Sequence, residues 1–135
     1  MPDTLPAGGP MDHNTVMAYL NRVGVTEPAA GDAAGLRHLH RAHQLTVPFE
    51  NLSIHLAEPI SLDERDLIDK IVRRRRGGFC YELNGAFALL LEALGARVSR
   101  VAARVYGEAG LGPPFDHLSV DIAVLRCWNL SAAPA

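Results

Sequence analysis

The segment from residue 83 to residue 95 constrains the fold of this chain more than any other. Its apolar residues recur at intervals of three and four, which is the spacing of one face of an α-helix. They are Leu83, Phe87, Leu90, Leu91 and Leu94. Gly95 is a typical residue just beyond a helix C-terminus. A helix this apolar must lie in the centre of the molecule, with the other elements packed around it.

Two shorter amphipathic helices are predicted near the start of the chain. The first ends at Gly24, and the second ends before Pro48 because the residue preceding a proline avoids helical geometry. Their buried stripes are Val16, Tyr19, Leu20 and Val23 in the first helix, and Leu36, Leu39, Ala42 and Leu45 in the second. The segment 47–56 that follows is predicted to be extended or irregular.

A third helix is predicted between this segment and the central helix. Ser61 and Glu64 resemble a capping box at its start, and Gly77 and Gly78 are expected to terminate it. Its buried stripe is Leu67, Ile68, Ile71 and Val72. The arginines 73–75 would form its last turn, where cations are favourable, and are interpreted as a solvated helix end.

Two β-strands are predicted after the central helix, over 97–105 and 117–124. In the second strand apolar residues alternate with His117, Ser119 and Asp121, which places these three on the face away from the core. The strands are expected to pair as an antiparallel hairpin across the intervening loop. The chain is therefore predicted to have an α+β fold, with helices first and strands last.

Cys80 stands at the predicted start of the central helix, directly after a glycine pair and Phe79. Unpaired amide groups and the positive end of the helix dipole stabilise an anion there, which favours the thiolate. The glycines let the backbone approach a ligand, and helix-start amides can hold an oxyanion. Cys80 is therefore a candidate nucleophile, and a buried structural cysteine remains the alternative.

A thiolate nucleophile needs a proton partner, which is usually a histidine. His117 opens the second strand and is the candidate for this role. His38, His40 and His43 lie on the second helix and are interpreted as surface histidines. No metal site is predicted among them because no carboxylate or cysteine stands at ligand spacing. Spacing alone leaves a Cys80–His117 dyad and two unrelated residues as equal alternatives.

Composition excludes several classes of protein. At 135 residues, 48% apolar and with a formal charge of −2, the chain has the size of one globular domain and lacks the basic excess of a nucleic-acid binder. No apolar run has the length of a membrane span, and the start lacks a secretion signal, so a cytoplasmic location is predicted. Cys80 and Cys127 are too few for a disulfide framework or a four-cysteine zinc site.

Three segments together resemble the arylamine N-acetyltransferase family. They are VPFENLSIH, RRRRGGFCYELNGAF and the strand beginning HLSV. The family's cysteine motif is Arg-Gly-Gly-aromatic-Cys followed by Glu and Asn, and the segments occur in the family's order between Asp12 and about Val124. The resemblance implies a helical N-terminal region, the start of an antiparallel β-barrel, and a cysteine, histidine, aspartate triad like that of papain-type proteases.

The resemblance also implies an activity. Cys80 would accept an acetyl group from acetyl-CoA as a thioester and pass it to an arylamine or hydrazine nitrogen, with His117 as the base. Acetyl-CoA is then a cosubstrate, and no bound cofactor or metal is expected. Phe49 and Val105 match positions that line the acceptor pocket. Glu50 and Arg76 match a charged pair that braces the active-site turn, and the glycine pair 77–78 shapes the loop that presents the cysteine.

Beyond Val124 the sequence departs from the family, which continues to Asp-Val-Gly-Phe-Gly and so supplies the triad acid and contacts for CoA. Here the chain reads LRCWNLSAAPA, and no carboxylate follows Asp121. Asp121 lies four residues from His117, roughly 13 Å away at about 3.3 Å per residue, too far to orient its imidazole. An apparently truncated N-terminal part of the enzyme, with impaired acetyl transfer, is therefore predicted.

The expected organisation follows from these observations. A flexible tail is predicted over 1–11, a helical domain carrying the nucleophile over 12–95, the start of the barrel over 96–125, and an atypical tail over 126–135. Unfinished strand edges would favour self-association. Two other functions are left open by the sequence: an amide synthase of macrocycle biosynthesis that uses the same triad, and a non-catalytic truncated module.

Overall fold

The structure of the protein is a computed structural model that describes residues 11–26 and 31–123. Within these residues, five α-helices precede four β-strands. The helices are α1 (His13–Arg22), α2 (Ala33–Thr46), α3 (Leu52–His55), α4 (Glu64–Ile68), which continues as a π-helical turn (Asp69–Arg73), and α5 (Cys80–Ala93). The strands are β1 (Arg97–Ala103), β2 (Tyr106–Gly107), β3 (Gly110–Leu111) and β4 (His117–Ala123). Residues 1–10 of the tail predicted over 1–11, the whole tail predicted over 126–135, and Cys127 lie outside the described residues.

Helix α5 lies at the centre of the molecule, as its apolar sequence predicts. Leu90, Leu91 and Leu94 are completely buried, and α1 and the α4 region pack against the helix from outside. Burying a leucine side chain contributes about 1.5–3 kcal/mol, so this helix supplies a large share of the stability. Gly95 follows with a φ of +95°, a left-handed conformation that favours glycine.

Helix α1 and its end match the prediction. Asp12 caps the helix by accepting a hydrogen bond from the Thr15 amide at 2.7 Å, and Gly24 is left-handed at φ +77°. The buried guanidinium of Arg22 donates to the carbonyl oxygens of Thr46, Ile71 and Arg75. Arg22 therefore ties the ends of α1, α2 and the π-helical turn together.

Helix α2 turns most of its predicted face towards the core, and Leu45 is the exception. Leu45 is 73% exposed, whereas His43 is only 3% exposed and its Nε2 lies 2.8 Å from the Tyr19 hydroxyl oxygen. The interpretation of His43 as a surface histidine is therefore wrong. The buried stripe runs through Gly35, Leu39 and His43 at intervals of four residues, because the histidine finds a polar partner inside the core. Burial lowers the pKa of His43 to about 4, so the ring is neutral near pH 7.

Two local predictions between α2 and α5 are also wrong. The segment 47–56 is irregular at its start, but residues 52–55 form the short helix α3. The cap of α4 is Asp63, whose carboxylate accepts from the Arg65 amide at 3.0 Å, and not the predicted pair of Ser61 and Glu64. An aspartate one residue before the helix satisfies an early amide directly, so the more distant pair is not needed.

The helical turn that follows α4 ends before the glycines that were expected to terminate it. Arg73 is its last residue, and Arg75 adopts a left-handed φ of +54°. The chain therefore leaves the helix within the arginine run, and only the first of these arginines belongs to the last turn. Gly77 and Gly78 do not end the helix; they pack against the segment that follows α2.

The predicted hairpin is present. β1 and β4 pair antiparallel, with Ala103 opposite His117 and Arg97 opposite Ala123. β1 ends at Ala103 and not at residue 105, and β2 and β3 form a small ladder within the connecting loop. Both long strands pack against α5, so the hairpin brings the beginning of β4 towards the beginning of that helix. Among the described residues, no helix is long and apolar enough to cross a bilayer.

Candidate active site

Cys80 is the first residue of α5, and the turn before it is held against the segment that follows α2. The Gly78 amide donates to the Pro48 carbonyl at 3.3 Å, and the Glu50 amide donates to the Gly78 carbonyl at 2.9 Å. These two bonds form a single parallel bridge between Phe49 and Gly78. The bridge fixes where the chain enters α5, and so where the Cys80 thiol lies.

Both glycines of this turn stand where a side chain does not fit. A Cβ atom on Gly77 would overlap the carbonyl oxygen of Pro48, and one on Gly78 would overlap the side chain of Glu82. The Pro48 backbone therefore requires glycine at position 77, and the Glu82 side chain requires it at position 78. This is the physical basis for the Gly-Gly pair directly before the cysteine.

A buried ion pair lies beneath the cysteine turn. Nζ of Lys70 is 2.5 Å from Oε2 of Glu82, and the two side chains are only 8% and 2% exposed. Lys70 also donates to the Ser53 hydroxyl at 2.8 Å, and Oε1 of Glu82 accepts from the Phe79 amide at 3.3 Å. Glu82 therefore connects the π-helical turn to the backbone that immediately precedes Cys80.

Sequence reasoning missed this pair, although a signal was present. Glu82 is a charged residue near the start of the most apolar helix, and Lys70 lies beside an apolar stripe. Because charged residues are almost never buried unless paired, two such positions indicate a buried pair. The sequence does not say that the two residues meet.

The predicted pair of Glu50 and Arg76 is present only as a long contact. Nη2 of Arg76 lies 3.9 Å from Oε1 of Glu50, whereas its Nη1 lies 3.2 Å from Oε2 of Glu58. Ser53 donates to Glu58 at 3.1 Å, and this hydrogen bond, together with Arg76, holds the pKa of Glu58 below its ordinary value. Glu50 accepts from the Leu52 amide at 2.5 Å through its other oxygen. Arg76 thus connects α3 and the cysteine turn mainly through Glu58.

Cys80 and His117 line the same cleft, which has a volume of about 590 Å³. Phe49 and Asn84 also line it, and Phe49 is 70% exposed. The remaining lining residues are Val47 and residues of α2, α5 and β4, and none of the described lining residues is acidic. A cysteine at a helix start and a histidine at a strand start therefore face one space that a small molecule can enter.

Val105 lies apart from this cleft. It is 56% exposed at the end of the hairpin, and its amide donates to Oδ1 of Asp116 at 2.9 Å. It is not among the described residues that line the cleft. Its role in an acceptor pocket stays a prediction.

No carboxylate in residues 11–26 or 31–123 forms an ion pair with His117. Asp121 is exposed and lies opposite Ser99 in the hairpin, and Asp116 is directed towards Val105. Over the same residues, no cluster of His, Cys, Asp and Glu side chains has the arrangement of a metal site. The described groups available for chemistry in the cleft are therefore a thiol, imidazoles, an arginine, side-chain amides and the Ser119 hydroxyl.

Comparison with known proteins agrees with the resemblance found in the sequence. Residues 32–125 match the family model described as N-acetyltransferase. The chain is 41% identical over 108 residues to the arylamine N-acetyltransferase / N-hydroxyarylamine O-acetyltransferase of Salmonella typhimurium, a match that covers 78% of this chain and 38% of that protein. The chain thus spans well under half the length of this curated relative.

Solved structures match over a similar part of the fold. The arylamine N-acetyltransferase structure from Salmonella typhimurium superposes with a TM-score of 0.76 at 36% identity, covering 83% of this chain and 41% of that one. The Mycobacterium marinum enzyme in complex with CoA superposes with a TM-score of 0.75 at 34% identity, covering 83% and 42%. The α+β arrangement of helices followed by antiparallel strands is common to these proteins and this chain.

Proposed function

This chain belongs to the arylamine N-acetyltransferase family, and on that premise we propose that it transfers acetyl from acetyl-CoA to an arylamine or hydrazine nitrogen through a thioester on Cys80. The observation that carries the proposal is the cleft shared by the Cys80 thiol and the His117 ring. Family membership supplies the reaction, and the cleft supplies a nucleophile and a base that face the same space.

The proposed reaction has two steps at one sulfur. The Cys80 thiolate attacks the acetyl carbonyl of acetyl-CoA, a new carbon–sulfur bond forms, and the bond to CoA breaks. The protonated His117 ring gives its proton to the departing CoA thiolate. The amine then attacks acetyl-Cys80, His117 takes the amine proton, and the thiolate leaves. The first step exchanges one thioester for another, so little free energy is needed to load the protein.

The finer architecture is also a proposal. We infer that the hairpin of β1 and β4 begins an antiparallel β-barrel and that the helical region 12–95 and the strand region 96–125 are separate domains. A nucleophile at the start of a buried helix and a base on a neighbouring sheet is the arrangement of papain-type proteases. The placement of Cys80 on α5 and of His117 on β4 supports this inference.

Acetylation of Cys80 tests the proposed function directly. The protein is incubated with acetyl-CoA, and the peptide that carries one added acetyl group is located by mass. We expect the label on Cys80 and not on Cys127, and its loss when an arylamine or hydrazine is added, with N-acetyl product formed in equal amount. Absence of acetyl-Cys80 in a folded sample would support a non-catalytic module.

Amide synthesis in macrocycle closure is not favoured, since the relatives are described as arylamine N-acetyltransferases.

Transfer to the amine is expected to be slow in a polypeptide made of these 135 residues alone. Among the described residues, no carboxylate pairs with His117 to stabilise its protonated form. The corresponding loss in a serine triad lowers turnover about ten-thousand-fold. The measurement compares steady-state turnover with that of a chain extended through Asp-Val-Gly-Phe-Gly and the remaining family domains. Equal turnover would mean that another carboxylate, such as one from a second copy, completes the triad.

Replacing Phe49 with alanine is expected to weaken acceptor binding about tenfold, because a flat arylamine ring loses an aromatic face at the cleft. Formation of acetyl-Cys80 should change less than about twofold, since acetyl-CoA loading does not need that face. The two half-reactions are followed separately by mass and by product formation, in the extended chain. Tyr106→Ala removes an exposed aromatic ring outside the cleft and serves as the control. Equal losses in both half-reactions would assign Phe49 a structural role.

A further inference from the structure

Two side chains of α5 hold the backbone on either side of His117. The Tyr81 hydroxyl donates to the Phe115 carbonyl at 2.6 Å, and Nδ2 of Asn84 donates to the Leu118 carbonyl at 2.6 Å. Both bonds span 34 residues of sequence. They connect the first turn and a half of the helix that Cys80 begins to the segment that carries His117.

The position of Asn84 along α5 gives its hydrogen bond a functional consequence. Residues four apart on a helix lie on the same face, about 6 Å apart along the axis, so Asn84 is directly above Cys80. Both residues line the cleft together with His117. A bond from Asn84 to the residue after His117 therefore sets how far β4 lies from the thiol.

The backbone before His117 is held in an unfavourable conformation. Phe115 has a φ of +63°, a left-handed value that is unfavourable for a residue with a side chain. The Tyr81 bond to its carbonyl and the bond from the Val105 amide to Asp116 hold this turn in place. Strain of this kind persists only where surrounding contacts determine the conformation.

We propose that Tyr81 and Asn84 are positioning residues that hold the His117 ring against the Cys80 thiol. The inference rests on the proposed catalytic pairing of these two residues. Because no acidic group among the described residues orients the ring, its placement depends on the backbone at residues 115–118. The two α5 side chains fix that backbone relative to the nucleophile.

The test is the pH profile of Cys80 alkylation by iodoacetamide, which requires neither acetyl-CoA nor turnover. In Asn84→Leu, which has similar size and no donor, alkylation near pH 6 should fall about tenfold, to the level of His117→Ala. Near pH 9 the rates should converge, because the thiolate then forms without the imidazole.

Arg37, His40 and His43 also face the cleft from α2. The pKa of His43 is about 4, so this ring does not titrate in that range.

Matched variants separate positioning from general damage. Arg100→Met also removes a side-chain bond between α5 and the hairpin, from Arg100 to Glu92 at 2.8 Å, but Arg100 does not line the cleft, so this variant should keep the wild-type profile. Tyr81→Phe loses only the hydroxyl and should show a smaller fall in the same direction. Asn84→Gln keeps an amide donor and should restore part of the rate at low pH. Circular dichroism and thermal unfolding verify that each variant is folded.

Two results would overturn the inference, and each leads to a different conclusion about the proposed function. A wild-type profile in folded Asn84→Leu, with a shifted profile in His117→Ala, would show that His117 pairs with Cys80 without these residues. An unshifted profile in His117→Ala would remove the pairing itself, and the proposed function with it. If Asn84→Leu does not fold, Tyr81→Phe decides by the same criterion.

Discussion

Replacing Cys80 with alanine is expected to abolish acetyl transfer from acetyl-CoA to the protein. The thioester has no other thiol among the described residues on which to form, since Cys80 is the cysteine that the structure places in the cleft. In a serine protease, loss of the nucleophile alone costs about 10⁶-fold in turnover, close to the loss of all three triad residues together. Incubation with acetyl-CoA followed by peptide mass measurement should show no acetyl group on the peptide that contains residue 80.

The matched variants for this prediction are His117→Ala and Cys127→Ala. Loss of His117 should slow acetylation of Cys80 without preventing it, because a thiolate at a helix start attacks thioesters with little help from a base. Loss of Cys127 should leave the acetylation rate unchanged. If the Cys80→Ala protein still carries a thioester-bound acetyl group, or if Cys127→Ala removes it, the nucleophile is assigned to the wrong residue.

Replacing Lys70 with methionine is expected to destabilise the protein by about 3–5 kcal/mol. In the native structure the Glu82 side chain is 2% exposed, and its carboxylate lies 2.5 Å from the Lys70 ammonium group. The substitution removes this cation and leaves the carboxylate buried without a partner. Because small domains have a total stability of about 5–15 kcal/mol, the variant would be close to unfolding at room temperature. Urea unfolding monitored by circular dichroism measures the difference.

Two further variants show whether the buried charge is the cause. Lys70→Met combined with Glu82→Gln removes both charges, and should recover much of the loss because no ion is left in the core. Arg74→Met breaks an ion pair with Asp69 that is 3.0 Å long but exposed, and should cost less than about 1 kcal/mol. A loss of similar size in Lys70→Met and Arg74→Met would contradict the view that burial makes the Lys70–Glu82 pair important.

Local sequence determined several elements of this fold because their causes lie within a few residues. The apolar spacing of α5 and Gly95 after it predicted a buried helix and its end, and both are present. The alternation in β4 predicted a strand that pairs with β1. The resemblance to a family was also carried by short segments of sequence, and the comparisons confirm it.

Some local predictions failed where a partner from elsewhere changed the outcome. His43 is buried in place of Leu45 because the Tyr19 hydroxyl, 24 residues away, supplies a hydrogen bond inside the core. The helical turn after α4 ends at Arg73, and the carbonyl of Arg75 is bound by Arg22 from α1. Polarity and spacing within a helix do not reveal such partners.

The sequence by itself determined which residues are available for chemistry: a cysteine at a helix start, a histidine at a strand start and a glycine pair before the cysteine. Only the tertiary structure decided how they are supported. Lys70 meets Glu82 across 12 residues, and Asn84 meets Leu118 across 34. Helix and strand periodicity arise from backbone geometry over one or two turns, whereas contacts at these separations depend on how whole elements pack around α5.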